Sequence, residues 1–121
     1  MAWQFNSTQA VFIQIANKLR TDIIIGKYQP DDQLPTVRQL ATEAAVNPNT
    51  VQKALLLLED EGLLYTRATV GRFITPNTAI LTEAREKLRR EAVRSWLIEA
   101  RTLDISVSEM IDYIREENDA T

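Results

Sequence analysis

Neither cysteine nor histidine occurs in the 121 residues of this chain. Their absence excludes disulfides, thiolate and imidazole metal sites, and the commonest nucleophile and base pairs of enzymes. A carboxylate-only active site is what remains, and nothing in the pattern recommends it. No stretch approaches the ~20 apolar residues of a membrane span. The opening Met1-Ala2-Trp3-Gln4-Phe5-Asn6 has no basic region followed by an apolar run. There is no internal repeat and no low-complexity tract. These absences lead to the expectation of a soluble, cytoplasmic protein that is not an enzyme and carries no cofactor or metal. Its length suits one domain with a short appendage, able to bury roughly two-thirds of its unfolded surface.

Excess charge is also scarce, with a net value of −3. Residues 1–77 carry seven Lys/Arg and seven Asp/Glu, and residues 78–121 carry seven and ten, so the acidic excess lies wholly in the second part. A nucleic-acid reader with so few cations holds non-specific DNA weakly at physiological salt, because that binding comes mainly from counterion release at phosphates. Such a protein would need two subunits on one site.

Three helical patterns occupy the first half. Over residues 8–25, Val11, Ile15, Leu19 and Ile23 fall on one face, widened by Phe12, Ala16 and Ile24, and Gly26 ends the run. A turn rich in proline and aspartate follows at 27–35. Thr36 then caps a short second helix with Gln39 completing a capping box, and that helix ends near Ala45. The third helix is the best marked: Asn47 caps it, Pro48 takes its first position, Val46 can staple to Val51, and Gly62 closes it. At about 100° per residue, Val51, Ala54, Leu55 and Leu58 point to the core, leaving Asn49, Gln52, Lys53 and Leu56 outward or sideways. Two short helices at a tight corner, the second opening on uncharged hydrogen-bonding side chains, are how a recognition helix enters the major groove.

Two extended runs, Leu63 to Thr66 and Arg72 to Thr75, flank Arg67-Ala68-Thr69-Val70-Gly71 and predict a hairpin or wing. The expected fold is mainly α with a small β-wing: a winged helix-turn-helix over 1–77, then a two-helix hairpin over 78–121, with the boundary at Pro76-Asn77. From about Thr82 a long helix sets Ala84, Leu88, Ala92, Trp96, Leu97 and Ala100 on one stripe. Ser106-x-x-Glu109 caps a last helix, with Ile105 and Met110 as staple and Val107, Ile111 and Ile114 as apolar face. Neither helix can hide its stripe alone, so the expected burial is against a second copy, giving a four-helix dimer interface. Leu81, Ala84, Leu88, Ala92, Trp96, Leu97, Met110, Ile111 and Ile114 are its candidate residues. Four leucines in a row, 55–58, cannot all face one core, so Leu56 and Leu57 are expected against the N-terminal arm (Trp3, Phe5), the long C-terminal helix or the partner, or simply half exposed.

The chain resembles the GntR family of bacterial transcription regulators. The resemblance covers about residues 10–75 and lies in a helix ending Gly26-x-Tyr-x-Pro-x-Asp-x-Leu-Pro, then Arg38-x-Leu-Ala, Val-Asn-Pro-Asn-Thr-Val-x-Lys-Ala and Leu58-Glu-x-Glu-Gly-Leu. The Asn-Pro-Asn-Thr version and the short tail are similar to the YtrA-like subfamily. That likeness implies dimerisation through two C-terminal helices, with no room for the separate effector domain of larger subfamilies. It also implies DNA contacts at Arg38 on the second helix, at Asn49, Thr50, Gln52 and Lys53 on the third, and at the wing around Gly71. Two departures stand out. Pro48 and Gln52 occupy positions where many relatives have arginine, which shifts guanine reading toward Arg38. Ala68-Thr69-Val70-Gly71 keeps one wing glycine where many relatives have two, which implies a stiffer wing.

The candidate DNA-binding set is therefore Thr36, Arg38, Asn47, Asn49, Thr50, Gln52, Lys53, Arg67, Thr69, Gly71 and Arg72. Each has a plainer reading beside it. Arg38 is a guanine or phosphate contact or a surface arginine, and Asn47 is first of all a cap. Asn49 and Thr50 lie where free backbone N–H groups and the helix dipole favour a phosphate. Gln52 can pair with adenine through both amide atoms or stand inert. Lys53, Arg67 and Arg72 are phosphate contacts or solvated charges. The resulting expectation is a homodimeric, sequence-specific repressor on a palindromic double-stranded operator. The alternative is a protein-interaction module using the winged helix as scaffold. A small-molecule effector in a crevice between the hairpins, or between wing and hairpin, stays open.

Overall fold

Ile15, Ala16, Leu19 and Ile23 recur at helical spacing, and in the computed structural model, which describes residues 3–121, they form the buried face of α1, Val11–Ile24. Met1 and Ala2, part of the expected first domain, lie outside the described residues. The helix starts at the first apolar position, Val11, three residues after the start of the expected range 8–25. Asn6 Oδ1 accepts from the Thr8 backbone N–H at 3.0 Å and from its hydroxyl at 2.6 Å, while Gln14 Nε2 donates to the carbonyls of Asn6 and Gln9 at 2.9 Å. These bonds give residues 6–9 an alternative to helix, as short polar side chains do near helix starts.

The second helix, α2 (Val37–Ala44), carries the capping box: Thr36 Oγ1 accepts from Gln39 N–H at 3.1 Å and Gln39 Oε1 from Thr36 N–H at 2.8 Å. It ends at Ala45, a non-glycine residue in the left-handed region with φ 58°. Ala45 N–H donates to Thr42 O at 3.3 Å and Val46 N–H to Ala41 O at 3.0 Å, which satisfies the last carbonyls of the helix. The chain then enters α3 (Pro48–Asp60), where Asn47 Oδ1 accepts from Asn49 N–H at 2.8 Å. Val51, Ala54, Leu55 and Leu58 are all buried, facing Ile15 and Leu19 of α1 and Leu40 and Ala41 of α2 in one cluster.

β1 (Leu64–Arg67) and β2 (Gly71–Ile74) pair antiparallel, with Leu64 opposite Ile74 and Thr66 opposite Arg72. Leu63, Leu64 and Ile74 join the same buried cluster. The segment expected as a mere turn does more: Gln33 forms a β-bridge to Phe73, Leu34 N–H donates to Arg72 O at 2.9 Å, and Asp32 O accepts from Ile74 N–H at 2.9 Å. One bridge is too short to leave a period-2 trace in the sequence.

α4 (Thr78–Thr102) begins four residues before the expected start near Thr82, and the first compact unit runs on to Ala84. Ile80, Leu81 and Ala84 in its opening turns are half-buried against the first unit's core. Leu57 packs on the same core, Leu56 is 46% exposed, and Trp3 at the N-terminal arm donates from Nε1 to Glu43 on α2 at 3.3 Å.

The second unit, residues 85–121, pairs the remainder of α4 with α5 (Val107–Ala120). Ser106 and Glu109 form the expected capping box, each bond 3.1 Å. Ala100 is the one buried residue among those described in this unit. Ile105 and Met110 are half-buried, whereas Trp96, Leu103, Val107, Ile111 and Ile114 are exposed.

Candidate nucleic-acid interface

Arg38 lies about 200° round α2 from buried Leu40, is exposed, and makes no hydrogen bond or ion pair among the described residues. At the start of α3, Asn47 and Asn49 are exposed and Thr50 is half-buried. The backbone donors expected to be free there are not. Pro48 has none, Asn49 N–H is held by the Asn47 side chain, and Thr50 N–H donates to Asn47 O at 2.9 Å. What this helix start offers outward is side chains and its dipole. Lys53 is exposed, with Nζ 5.8 Å from the Phe12 ring centre.

In the wing, the Arg67 guanidinium lies 5.0 Å from the centre of the Phe73 ring, which stacks on Tyr65 at 5.6 Å. Tyr65 OH donates to Asp31 Oδ1 at 2.7 Å, and that bond, followed by burial and the Asp31 charge, raises the phenol pKa. Thr69 sits at the turn with φ 63°, its hydroxyl donating to Ala68 O at 2.7 Å. Gly71 has φ 138°, and a Cβ there would lie 2.8 Å from Gln33 Nε2. Gln33 uses that nitrogen to donate to Val70 O at 2.8 Å. Thr36, Arg67, Thr69, Gly71 and Arg72 line one cleft of about 350 Å³ between the wing and the start of α2. Arg38 and the α3 candidates do not line it.

Arg72 behaves unlike the other candidate cations. Its Nε donates to Glu59 Oε1, its Nη1 donates to Gln52 Oε1 at 3.3 Å, and its side chain is 17% exposed. Thr66 Oγ1 also donates to Glu59 Oε1, at 2.6 Å. Burial works to raise the Glu59 pKa, but the hydrogen bonds from Thr66 and Arg72 and the Arg72 charge outweigh it, so the carboxyl lies below its ordinary value. Arg72 is thus turned into the protein, and Gln52 holds one of its polar atoms inward. Glu59 and Gln33 were not among the sequence candidates. Their partners are set by strand register and tertiary packing, which leave no local signal.

In the second unit, Leu88 and Leu97 are half-buried and Ala92 is exposed. An apolar groove of about 620 Å³ runs between α4 and α5, lined by Trp96, Ala100, Leu103, Met110, Tyr113 and Ile114 among others. Leu81 and Ala84, also expected in the dimer interface, pack on the first unit's core instead of standing free. Among the described residues no group of acids stands at metal-ligand spacing, and no helix is long and apolar enough to cross a membrane.

The sequence model described as "Bacterial regulatory proteins, gntR family" matches residues 13–74, from α1 to the end of β2. The chain belongs to the GntR family. This GntR chain is 32% identical to the HTH-type transcriptional repressor YtrA of Bacillus subtilis, over 91% of its own length and 85% of that protein. A GntR family transcriptional regulator from Listeria monocytogenes superposes with a TM-score of 0.86 at 27% identity, covering 93% of this chain and 98% of that one. The DNA-binding domain of AraR, solved in complex with operator ORX1, superposes with a TM-score of 0.55 at 25% identity, covering 62% of this chain and 95% of that one. The winged helix described above is a DNA-binding GntR domain, and the protein is a transcriptional regulator.

Proposed function

We propose that this GntR regulator is a homodimeric repressor that reads an inverted-repeat operator, one winged helix to each half-site. The observation that carries the reading is Arg38: an exposed guanidinium with no partner among the described residues, on the helix just before the exposed polar start of α3. A planar fork held at that place suits a bidentate guanine contact, worth ~1–3 kcal/mol of discrimination. Asn49 and Thr50 position the helix end on the backbone, and Lys53 and Arg67 neutralise phosphates. The wing tip at Thr69 and Gly71 meets the backbone or minor groove. Repression follows from occupying a promoter.

Pairing of chains is supported by the second unit, which exposes Trp96, Ile111 and Ile114 and buries Ala100 alone among its described residues. A hairpin with so little core of its own gains most by covering that face with the same face of another copy. Balanced side-chain charge in residues 1–77 makes a second set of contacts more valuable, because one head alone gains little from counterion release.

Footprinting the purified chain on DNA upstream of its own gene, with its mass measured by sedimentation, tests the whole reading. The expected result is one protected palindrome and a dimer. Arg38→Ala is expected to abolish discrimination between operator and scrambled duplex while the dimer persists. A monomer at working concentration, or protection without two-fold symmetry, overturns the reading.

A further inference from the structure

A wing side chain, Arg72, bonds to two side chains of α3, Gln52 and Glu59. Gln52 is half-buried, and its Oε1 accepts from Arg72 Nη1 at 3.3 Å. Arg72 is in turn held through Nε by Glu59, about two turns further along α3 from Gln52, and Glu59 is fixed from a second side by the Thr66 hydroxyl. Thr66 and Arg72 are directly opposed across the β1–β2 pair, so strand register places both donors over one carboxylate. Two strands and a helix thus meet in one connected set of four side chains, with the Gln52 amide at its outer end.

A glutamine recognises adenine with both ends of its amide, the oxygen accepting from N6 and the nitrogen donating to N7. That pairing needs both atoms to face the groove. When the oxygen is turned toward an arginine inside the protein, the NH2 group is what remains to present. Guanine offers two adjacent acceptors, O6 and N7, on its major-groove edge.

We propose that Arg72 is a positioning residue for base readout: clamped by Glu59, it holds Gln52 Oε1 inward, so that Gln52 presents Nε2 as a donor and selects guanine instead of adenine. Arg72 itself touches no phosphate. The proposal rests on the reading that α3 enters the major groove. It changes the role of two residues: Gln52 becomes a one-sided donor, and Arg72 acts through it and not on DNA.

The test uses the full chain and a duplex selected from a random pool. The position read by Gln52 is the one whose preference Gln52→Ala removes. The parent is expected to prefer guanine there. Arg72→Lys still pairs with Glu59 as a point charge but lacks the planar fork that reaches Gln52. It is expected to move the preference at that one position toward adenine by about tenfold, with other positions and the salt dependence of binding unchanged. In the Gln52→Ala background, Arg72→Lys should have no further effect on base preference, an outcome that general destabilisation of the fold would not produce.

An adenine preference in the parent overturns the proposal, as does an unchanged preference in Arg72→Lys. A salt slope reduced by about one without a change in preference makes Arg72 a phosphate contact and overturns it too. Failure of the parent to select any duplex overturns the DNA reading itself, which separates the two failures. In 15N-labelled parent protein, independent of any variant's stability, the Arg72 Nε–H should exchange slowly with water, and rapid exchange overturns the clamp.

Discussion

The Gln33 side chain donates to the Val70 carbonyl at 2.8 Å, joining the strand-like segment before α2 to the tip of the wing. Gly71 permits this contact, because a Cβ at that position would lie 2.8 Å from the donating nitrogen and its φ of 138° disfavours any side chain. Gly71→Ala is therefore expected to lower stability by roughly 1 to 3 kcal/mol, read as a drop in the denaturant midpoint. Gln33→Ala, which removes the bond without straining the backbone, should cost less. Equal losses in the two variants would show that backbone strain at Gly71 contributes nothing.

The corner between α2 and α3 carries strain of another kind. Ala45 holds φ 58° without the freedom of glycine. Ala45→Gly should stabilise the protein by about 1 kcal/mol, visible as a rise in melting temperature with no change in DNA selectivity. A fall in melting temperature would mean that greater freedom of the unfolded glycine chain outweighs the relief.

Acid stability should report the Glu59 cluster. The Glu59 carboxyl titrates below its ordinary 4.5 in the folded chain, so its contribution is complete above that value and is lost as pH falls through the lowered one. Glu109 is lowered by the backbone and side-chain hydrogen bonds of its capping box with Ser106 and adds a loss of the same sign. Glu59→Gln is expected to flatten, without abolishing, the decline of the melting temperature below pH 4.5. An unchanged decline in the variant would show that the bonds from Arg72 and Thr66 do not act through the ionised carboxylate.

Pairing of chains should depend on the apolar face of α5. Ile114 is 51% exposed and lines the hairpin groove. Ile114→Asp should shift sedimentation to the monomer, while the winged helix, whose buried cluster lies in the first unit, keeps its melting transition. A variant that remains dimeric would move the interface off this face.

Local chemistry was the legible part of this chain. Asn47, Pro48 and the Val51, Ala54, Leu55, Leu58 set lie within one helix, where a cap and a period decide the outcome, and α3 follows them. Thr36 with Gln39 and Ser106 with Glu109 are short-range pairs of the same sort. What could not be read depends on partners distant in the chain. Arg72 is turned inward by Glu59, thirteen residues away, and Gln33 meets Val70 thirty-seven residues on. Residues 8–10, inside the expected helical range, stay outside α1, where Asn6 and Gln14 bond to the backbone before Val11. The family likeness supplied the order of the elements, but it could not say that Gln52 and Arg72 touch.

The bridge between Gln33 and Phe73 has a mechanical consequence. Laced to the approach to α2, the wing is part of a stiff frame and not a trailing flap. If the wing meets DNA as proposed, little freedom is left for it to lose there, so docking should be governed by fit and not by the cost of ordering a loop. On the proposed reading, a duplex with the wrong local width would then be refused at the wing as well as at α3.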